Sequence, residues 1–247
     1  MSEYSALCDD FGASIFLTTK MDLPNRRETV LHFFESLQRA YPRFNDFDRR
    51  DNGDFVLEEE RESGTHRWVT LESRRLCFGY VNPHSVEEFA ISAEHVLETA
   101  PYHLDISGLD VESLDVMFTF EFLYAGNHDE VVAEALGVGS SLESLLQSPT
   151  NRVIHYEPTL MLALDEFCRL QARLNVETRT SAYQIRTGQF PEAPISVYFT
   201  IRQYWGKQPF KTFRESFHNQ RRVCQEMVDG VIVPNVIQPL SRAISTK

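Results

Sequence analysis

Residues 168–180, Cys-Arg-Leu-Gln-Ala-Arg-Leu-Asn-Val-Glu-Thr-Arg-Thr, place Leu170, Ala172, Leu174 and Val176 on one beat and Arg169, Gln171, Arg173, Asn175, Glu177 and Arg179 on the other. Successive side chains of an extended chain point to opposite faces, so a period of two held over this length specifies a strand with one buried and one solvated face. Residues 116–124 repeat the pattern, with Phe118, Phe120 and Phe122 on one side and Thr119 and Glu121 on the other. Half-buried strands of this kind belong to antiparallel sheets that are covered on one face only.

The remaining segments fall into an order that occurs twice. Residues 14–22 form a β-branched and aromatic run, followed by Pro24-Asn25 and by a segment with Val30, Phe33, Phe34, Leu37 and Ala40 at helical spacing, ending before Pro42. Three short strands are expected at 54–61, 66–72 and 75–82, then a helix N-capped by Ser85, with Glu88 in capping-box position and Val86, Phe89, Ala90, Ala93, Val96 and Leu97 on one face. The second pass runs from the strand at 116–124 to a helix after Asn127, interrupted by Gly137 and Gly139. Strands follow at 153–166, at 168–180 with 181–187 as its turn neighbour, and at 193–205. A long helix ending at Gly230 turns Phe210, Phe213, Phe217, Cys224, Met227 and Val228 inward.

Both halves thus read β-α-β-β-β-α, the first over 1–101, the second over 116–247, with 102–115 as the crossover. In element order the unit resembles the half-repeat of TATA-binding-protein-like and helix-grip folds. That resemblance implies an α+β chain of class β-α-β-β-β-α, duplicated, with a curved antiparallel sheet and helices on one face. A single compact domain is expected, because joining two such units hides edge strands.

The chain has 247 residues and 42% hydrophobic composition, enough for a substantial core. Its formal net charge of -12 argues against indiscriminate binding to nucleic acid or to anionic membrane. The charge is uneven: residues 1–110 hold 11 basic and 21 acidic side chains, residues 111–247 hold 13 and 15. The stretch 168–222 is itself basic, through Arg169, Arg173, Arg179, Arg186, Arg202, Lys207, Lys211, Arg214, Arg221 and Arg222. An acidic half and a basic patch allow self-association, so a homo-oligomer is among the expected assemblies, and the acidic run at 57–62 is a candidate counterpart of the basic patch. Cys8, Cys77, Cys168 and Cys224 have neither disulfide-framework nor zinc spacing, and no apolar run reaches the length of a membrane span. Together with an N-terminus that lacks the pattern of a signal peptide, this leads to the expectation of a cytoplasmic protein without metal, cofactor or membrane partner.

Arginines and amides aligned on one strand face suit carboxylate, phosphate or an acidic protein surface, since guanidinium donors match such groups in pairs. The expected binding residues are Arg169, Gln171, Arg173, Asn175, Arg179, Arg202 and Tyr204, aided by Tyr198 and Trp205. The leading expectation is a non-enzymatic binding or adaptor protein holding a protein segment or an anionic small ligand on its open sheet face. The alternative is an enzyme with a polar pocket between the halves. There His155 and Glu157, on one side of a strand, would act as acid and base with Glu121 nearby. A nucleic-acid-binding module is the third reading, carried by the interleaved aromatics. The glycine-containing stretch 137–141 lacks the lysine of a phosphate loop and is read as a connector.

Overall fold

The alternating segments pair into one antiparallel sheet of nine strands in the order β2-β3-β4-β5-β1-β6-β9-β8-β7. Described by the structure, a computed structural model, are residues 3–61, 64–146, 148, 150–206 and 212–247, the side chain of Ser140 excepted. The strands are β1 (Asp10–Thr19), β2 (Phe44–Arg49), β3 (Phe55–Glu59), β4 (His66–Leu71), β5 (Arg75–Val81), β6 (Val111–Tyr124), β7 (Thr159–Ala163), β8 (Leu170–Glu177) and β9 (Ala193–Tyr204). The helices are α1 (Arg27–Ala40), α2 (Val86–Leu104), α3 (His128–Leu136), α4 (Ser140–Glu143), α5 (Ala182–Thr187), α6 (Phe213–Met227) and α7 (Gln238–Ser245). A π-helical stretch, Val228–Ile237, joins the last two.

The first strands of the two halves, β1 and β6, lie side by side at the centre, with Ser14 opposite Met117. Outward from that pair run β5, β4, β3 and β2 on one side and β9, β8 and β7 on the other, so the order matches over four strands of each half. The first half has the additional edge strand β2. Residues 44–49 carry only one buried side chain, Phe44, which is why no hydrophobic period marks them as a strand.

Alternation decides what each strand buries. Phe11, Ala13, Ile15 and Leu17 of β1, Leu114, Val116, Phe118, Phe120 and Phe122 of β6, and Ile195, Val197, Phe199 and Ile201 of β9 belong to one core shared with α1, α2 and α6. Helix α2 packs on β1 and β5, α6 packs on β6 and β9, and α1 covers α2. Gln220, wholly buried on α6, donates to the carbonyls of Leu114 at 2.6 Å and Ile201 at 2.9 Å, tying that helix to both strands beneath it. Glu59, within the acidic run and the last residue of β3, is buried against Arg67 at 3.2 Å, and Arg67 also reaches Glu88 of α2 at 3.0 Å.

Several expected boundaries shift. Helix α2 continues through Pro101 to Leu104, and β6 starts at Val111, so the link between halves is residues 105–110. Of the strand expected at 153–166 only Thr159–Ala163 pairs, because Asp129 and Thr178 take up the preceding segment: Tyr156 N–H donates to Asp129 at 2.7 Å and Thr178 N–H to Glu157 at 2.9 Å. Residues 182–187 are helical, since Ser181 and Gln184 close a reciprocal capping box. The C-terminal helix runs past Gly230, and Pro234 falls inside its π-helical stretch. Phe210, Lys207 and Lys211 lie outside the described residues.

Candidate functional site

The helix-free face of the sheet is a set of side-chain rows that can be read straight across the strands from their registers. One row runs Cys77, Phe16, Asp115, Arg202, Gln171, Ala163 from β5 to β7. The next runs Gly79, Ser14, Met117, Thr200, Arg173, Met161, and the third Val81, Gly12, Thr119, Tyr198, Asn175, Thr159. The fourth contains Asp10, Glu121, Ser196 and Glu177. The first two rows, with Arg75 from the end of β5, line a cleft of about 220 Å³ bounded by Phe16, Arg75, Asp115, Met117, Met161, Gln171, Arg173, Thr200 and Arg202.

Within it the arginines are in different states. Arg202 meets Asp115 directly across the β6–β9 ladder, with Nε 2.9 Å from Oδ1 and Nη2 2.6 Å from Oδ2. These hydrogen bonds push the Arg202 guanidinium further up from its already high range. Arg75 is held by Glu72 at 2.9 Å and lies over the Phe16 ring. Arg173 stands between Thr200 and Met161 and is exposed, and its side chain has no ion pair or hydrogen bond among the described residues. Among the described residues Asp115 is the one carboxylate lining the cleft, and Arg202 neutralises it. A cation is therefore left over at Arg173, with the Thr200 hydroxyl beside it and the Gln171 amide, which spends one N–H on the Cys168 carbonyl at 2.8 Å.

The other expected binding residues separate into three groups. Asn175 and Arg179 share the face but not the cleft. Asn175 accepts from Thr159 Oγ1 at 2.6 Å, and Arg179 donates to Ser196 Oγ at 3.0 Å, to the Pro194 carbonyl, and lies 3.6 Å from Glu177. Tyr204 sits under the Arg202 guanidinium, 5.8 Å from it, next to the cleft. Arg169, one residue before β8, stays in register with Tyr204, whose N–H donates to the Arg169 carbonyl at 2.8 Å, but the Arg169 guanidinium lies over Phe167 at 5.7 Å and does not line the cleft. Trp205, the residue after Tyr204, packs on the core side against Phe213 at 4.9 Å. Among aromatic groups the sequence did not single out, Trp68 lies flat over Gly79, where an added Cβ would come within 2.3 Å of its ring. The absence of a side chain at Gly79 is the signal that could have placed it.

The acid–base candidates are not assembled. His155 and Glu157 fall in the irregular segment before β7 instead of on one face of a strand. The His155 side chain is 74% exposed and 3.9 Å from Asp129, so water surrounds it. Glu157 is taken up by Thr178, and Glu121 accepts from Ser196 Oγ at 3.2 Å. His128, which the sequence left unassigned, is better enclosed: its Nε2 bonds the Tyr124 carbonyl at 3.1 Å and its Nδ1 accepts from Arg179 N–H at 3.2 Å. Those partners fix the neutral tautomer protonated on Nε2, and burial holds the imidazole below its ordinary range.

No cluster of three metal-ligating side chains occurs among the described residues, and none of their helices is long and apolar enough to cross a membrane. No family model matches the chain, and no curated protein resembles it in sequence.

Proposed function

We propose that the protein is a binding module that takes an anionic group, a carboxylate or a phosphate, into the cleft on its open sheet face. The observation that carries this is the unpaired Arg173, set in a row whose other members are uncharged while the neighbouring Arg202 already has its carboxylate. A guanidinium presented beside an amide and a hydroxyl offers several donors to one anion, and Met117, Met161 and Phe16 supply apolar surface for the rest of the ligand. The exposed His155 and the engaged Glu157 and Glu121 give no support to the enzyme alternative.

The test is a titration of the uniformly 15N-labelled chain with succinate, inorganic phosphate and polyglutamate at low and at high salt. Shifts are expected at the amides of Gln171, Arg173, Thr200 and Met117, weakening as salt shortens the Debye length from about 10 Å at 0.1 M to about 3 Å at 1 M. They should vanish in Arg173→Glu. Perturbations that avoid these residues, or that survive the charge reversal, would refute the proposal.

A further inference from the structure

The cleft ends at a strand edge that is unpaired among the described residues, and the two features share a residue. β7 is the last strand of the sheet, five residues long, and every one of its side chains is exposed, Leu160 at 54%, Met161 at 56% and Leu162 at 42%. Natural sheets blunt such edges with charge, proline or a bulge. The opposite edge does so: β2 carries Asp46, Asp48 and Arg49, and its register with β3 is broken at Phe44/Asp46. β7 has no charged residue and no bulge against β8.

Which main-chain groups β7 leaves free follows from its ladder. Val176 N–H donates to the Pro158 carbonyl at 3.1 Å, and Leu164 N–H donates to the Leu170 carbonyl at 2.8 Å. In an antiparallel pair, hydrogen-bonded positions alternate, so Leu160 and Leu162 turn their N–H and C=O toward β8 while Thr159, Met161 and Ala163 turn theirs outward. Met161 therefore presents a free N–H and C=O at the edge and a side chain to the cleft.

We infer that β7 accepts an extended acidic segment of another protein as a tenth strand, its carboxylate crossing Met161 to reach Arg173. This rests on the reading of the cleft as an anion site. The distances allow it. Strands are about 4.8 Å apart, so a residue on the added strand opposite Met161 stands about 9.6 Å from Arg173, within the combined reach of a glutamate and an arginine side chain. The same strand would cover Leu160 and Leu162 with its alternate, apolar side chains on the helix-side face. Charge selects this occupant over a second copy of the chain. Antiparallel pairing of β7 with itself about Met161 brings no carboxylate opposite Arg173. Of the flanking acids, Glu157 is engaged with Thr178 and Asp165 with the N–H groups of Arg169 and Leu170, and the exposed Glu166, five residues beyond Met161, would stand about 17 Å along the strand from the position opposite Arg173.

The experiment pans a phage library of random dodecapeptides on the intact chain and measures one enriched peptide, synthesised with capped ends, by fluorescence anisotropy. The expected peptide alternates apolar residues around an Asp or Glu. Its affinity should fall at least tenfold when that acid becomes an amide, and similarly in Arg173→Glu. Met161→Pro, which removes an outward N–H and no bond to β8, should lower it at least tenfold while the melting temperature stays within a few degrees. Slowed hydrogen exchange at Thr159, Met161 and Ala163 on binding is the accompanying signature. Acid-dependent binding that ignores Met161→Pro would overturn strand addition and leave the anion site standing. Proline-sensitive binding without acid dependence would overturn the charge argument. A dimer in sedimentation that Met161→Pro converts to monomer would assign the edge to a second copy instead, and a library with no enrichment overturns the inference outright.

Discussion

Arg202 and Arg173 differ by one row on the same face, and replacing each by Met should separate a structural arginine from a binding one. The Asp115 side chain is 6% exposed and receives three contacts from Arg202, at 2.9, 3.1 and 2.6 Å. Removing one partner of a fully buried pair costs about 3–5 kcal/mol, because the remaining charge stays unsolvated. An exposed pair is worth about 0–1 kcal/mol. The Arg202 side chain is 40% exposed, so water reaches the pair from one side. Arg202→Met is accordingly expected to cost about 2–3 kcal/mol, between those limits. Asp115→Asn should cost less, about 1 kcal/mol, since the freed guanidinium can hydrate whereas the carboxylate cannot. The double variant Arg202→Met/Asp115→Asn should recover part of the loss, as in any cycle through a coupled pair. Arg173→Met should stay within about 0.5 kcal/mol, as surface changes do. Urea denaturation at pH 7 measures all four, and about 2–4 °C per kcal/mol is the corresponding thermal shift for a chain of this size. Equal losses at Arg202 and Arg173, or a double variant no better than Arg202→Met, would show that the Asp115 pairing is not what separates them.

The neutral His128 makes stability depend on pH in a known direction: the unfolded chain takes up a proton near 6.5 and the folded imidazole resists it, so stability falls as pH drops below 6.5. His66 and His103 shift the same way, and His128→Gln should therefore reduce the slope of urea midpoint against pH between 7.5 and 5.5 without abolishing it. Gly79→Ala forces Trp68 off the sheet and should cost about 1–3 kcal/mol, with a red-shifted tryptophan emission as the sign that the ring has become wet. Gln220→Met removes donors from two buried carbonyls and should cost about 1–3 kcal/mol; an unchanged urea midpoint would show that the α6 tie to the sheet is dispensable.

Much of the sheet was legible because a strand with one buried face writes its geometry into every second residue, as in Phe118, Phe120 and Phe122, all in the core. Edge strands carry no such record. β2 buries one side chain and β7 none, so the first was missed and the second was drawn too long. Helix α5 was missed although Ser181 and Gln184 spell its capping box, because a six-residue helix with no buried side chain has no period to recognise. In the site, alternation put Gln171, Arg173 and Arg202 on one face of the sheet, where they line one cleft. It could not tell which arginine was spoken for, since Asp115 lies 87 residues from Arg202 in the chain. Nor could it show that Arg169, one residue before β8, lays its guanidinium over Phe167 and outside the cleft.

The placement of β1 has a consequence for how the chain is made. Strand β1, which is synthesised before both of its partners, residues 75–81 and 111–124, sits in the middle of the finished sheet. Half of its hydrogen-bonding capacity has no native acceptor until the second half begins to emerge. Contacts so distant in sequence are entropically late, so the seam between β1 and β6 should set the rate of folding while the local β3-β4-β5 meander forms ahead of it. Until β6 docks, Phe11, Ile15 and Leu17 border an open edge in the centre of the future core, and this is where a stalled or truncated chain would aggregate.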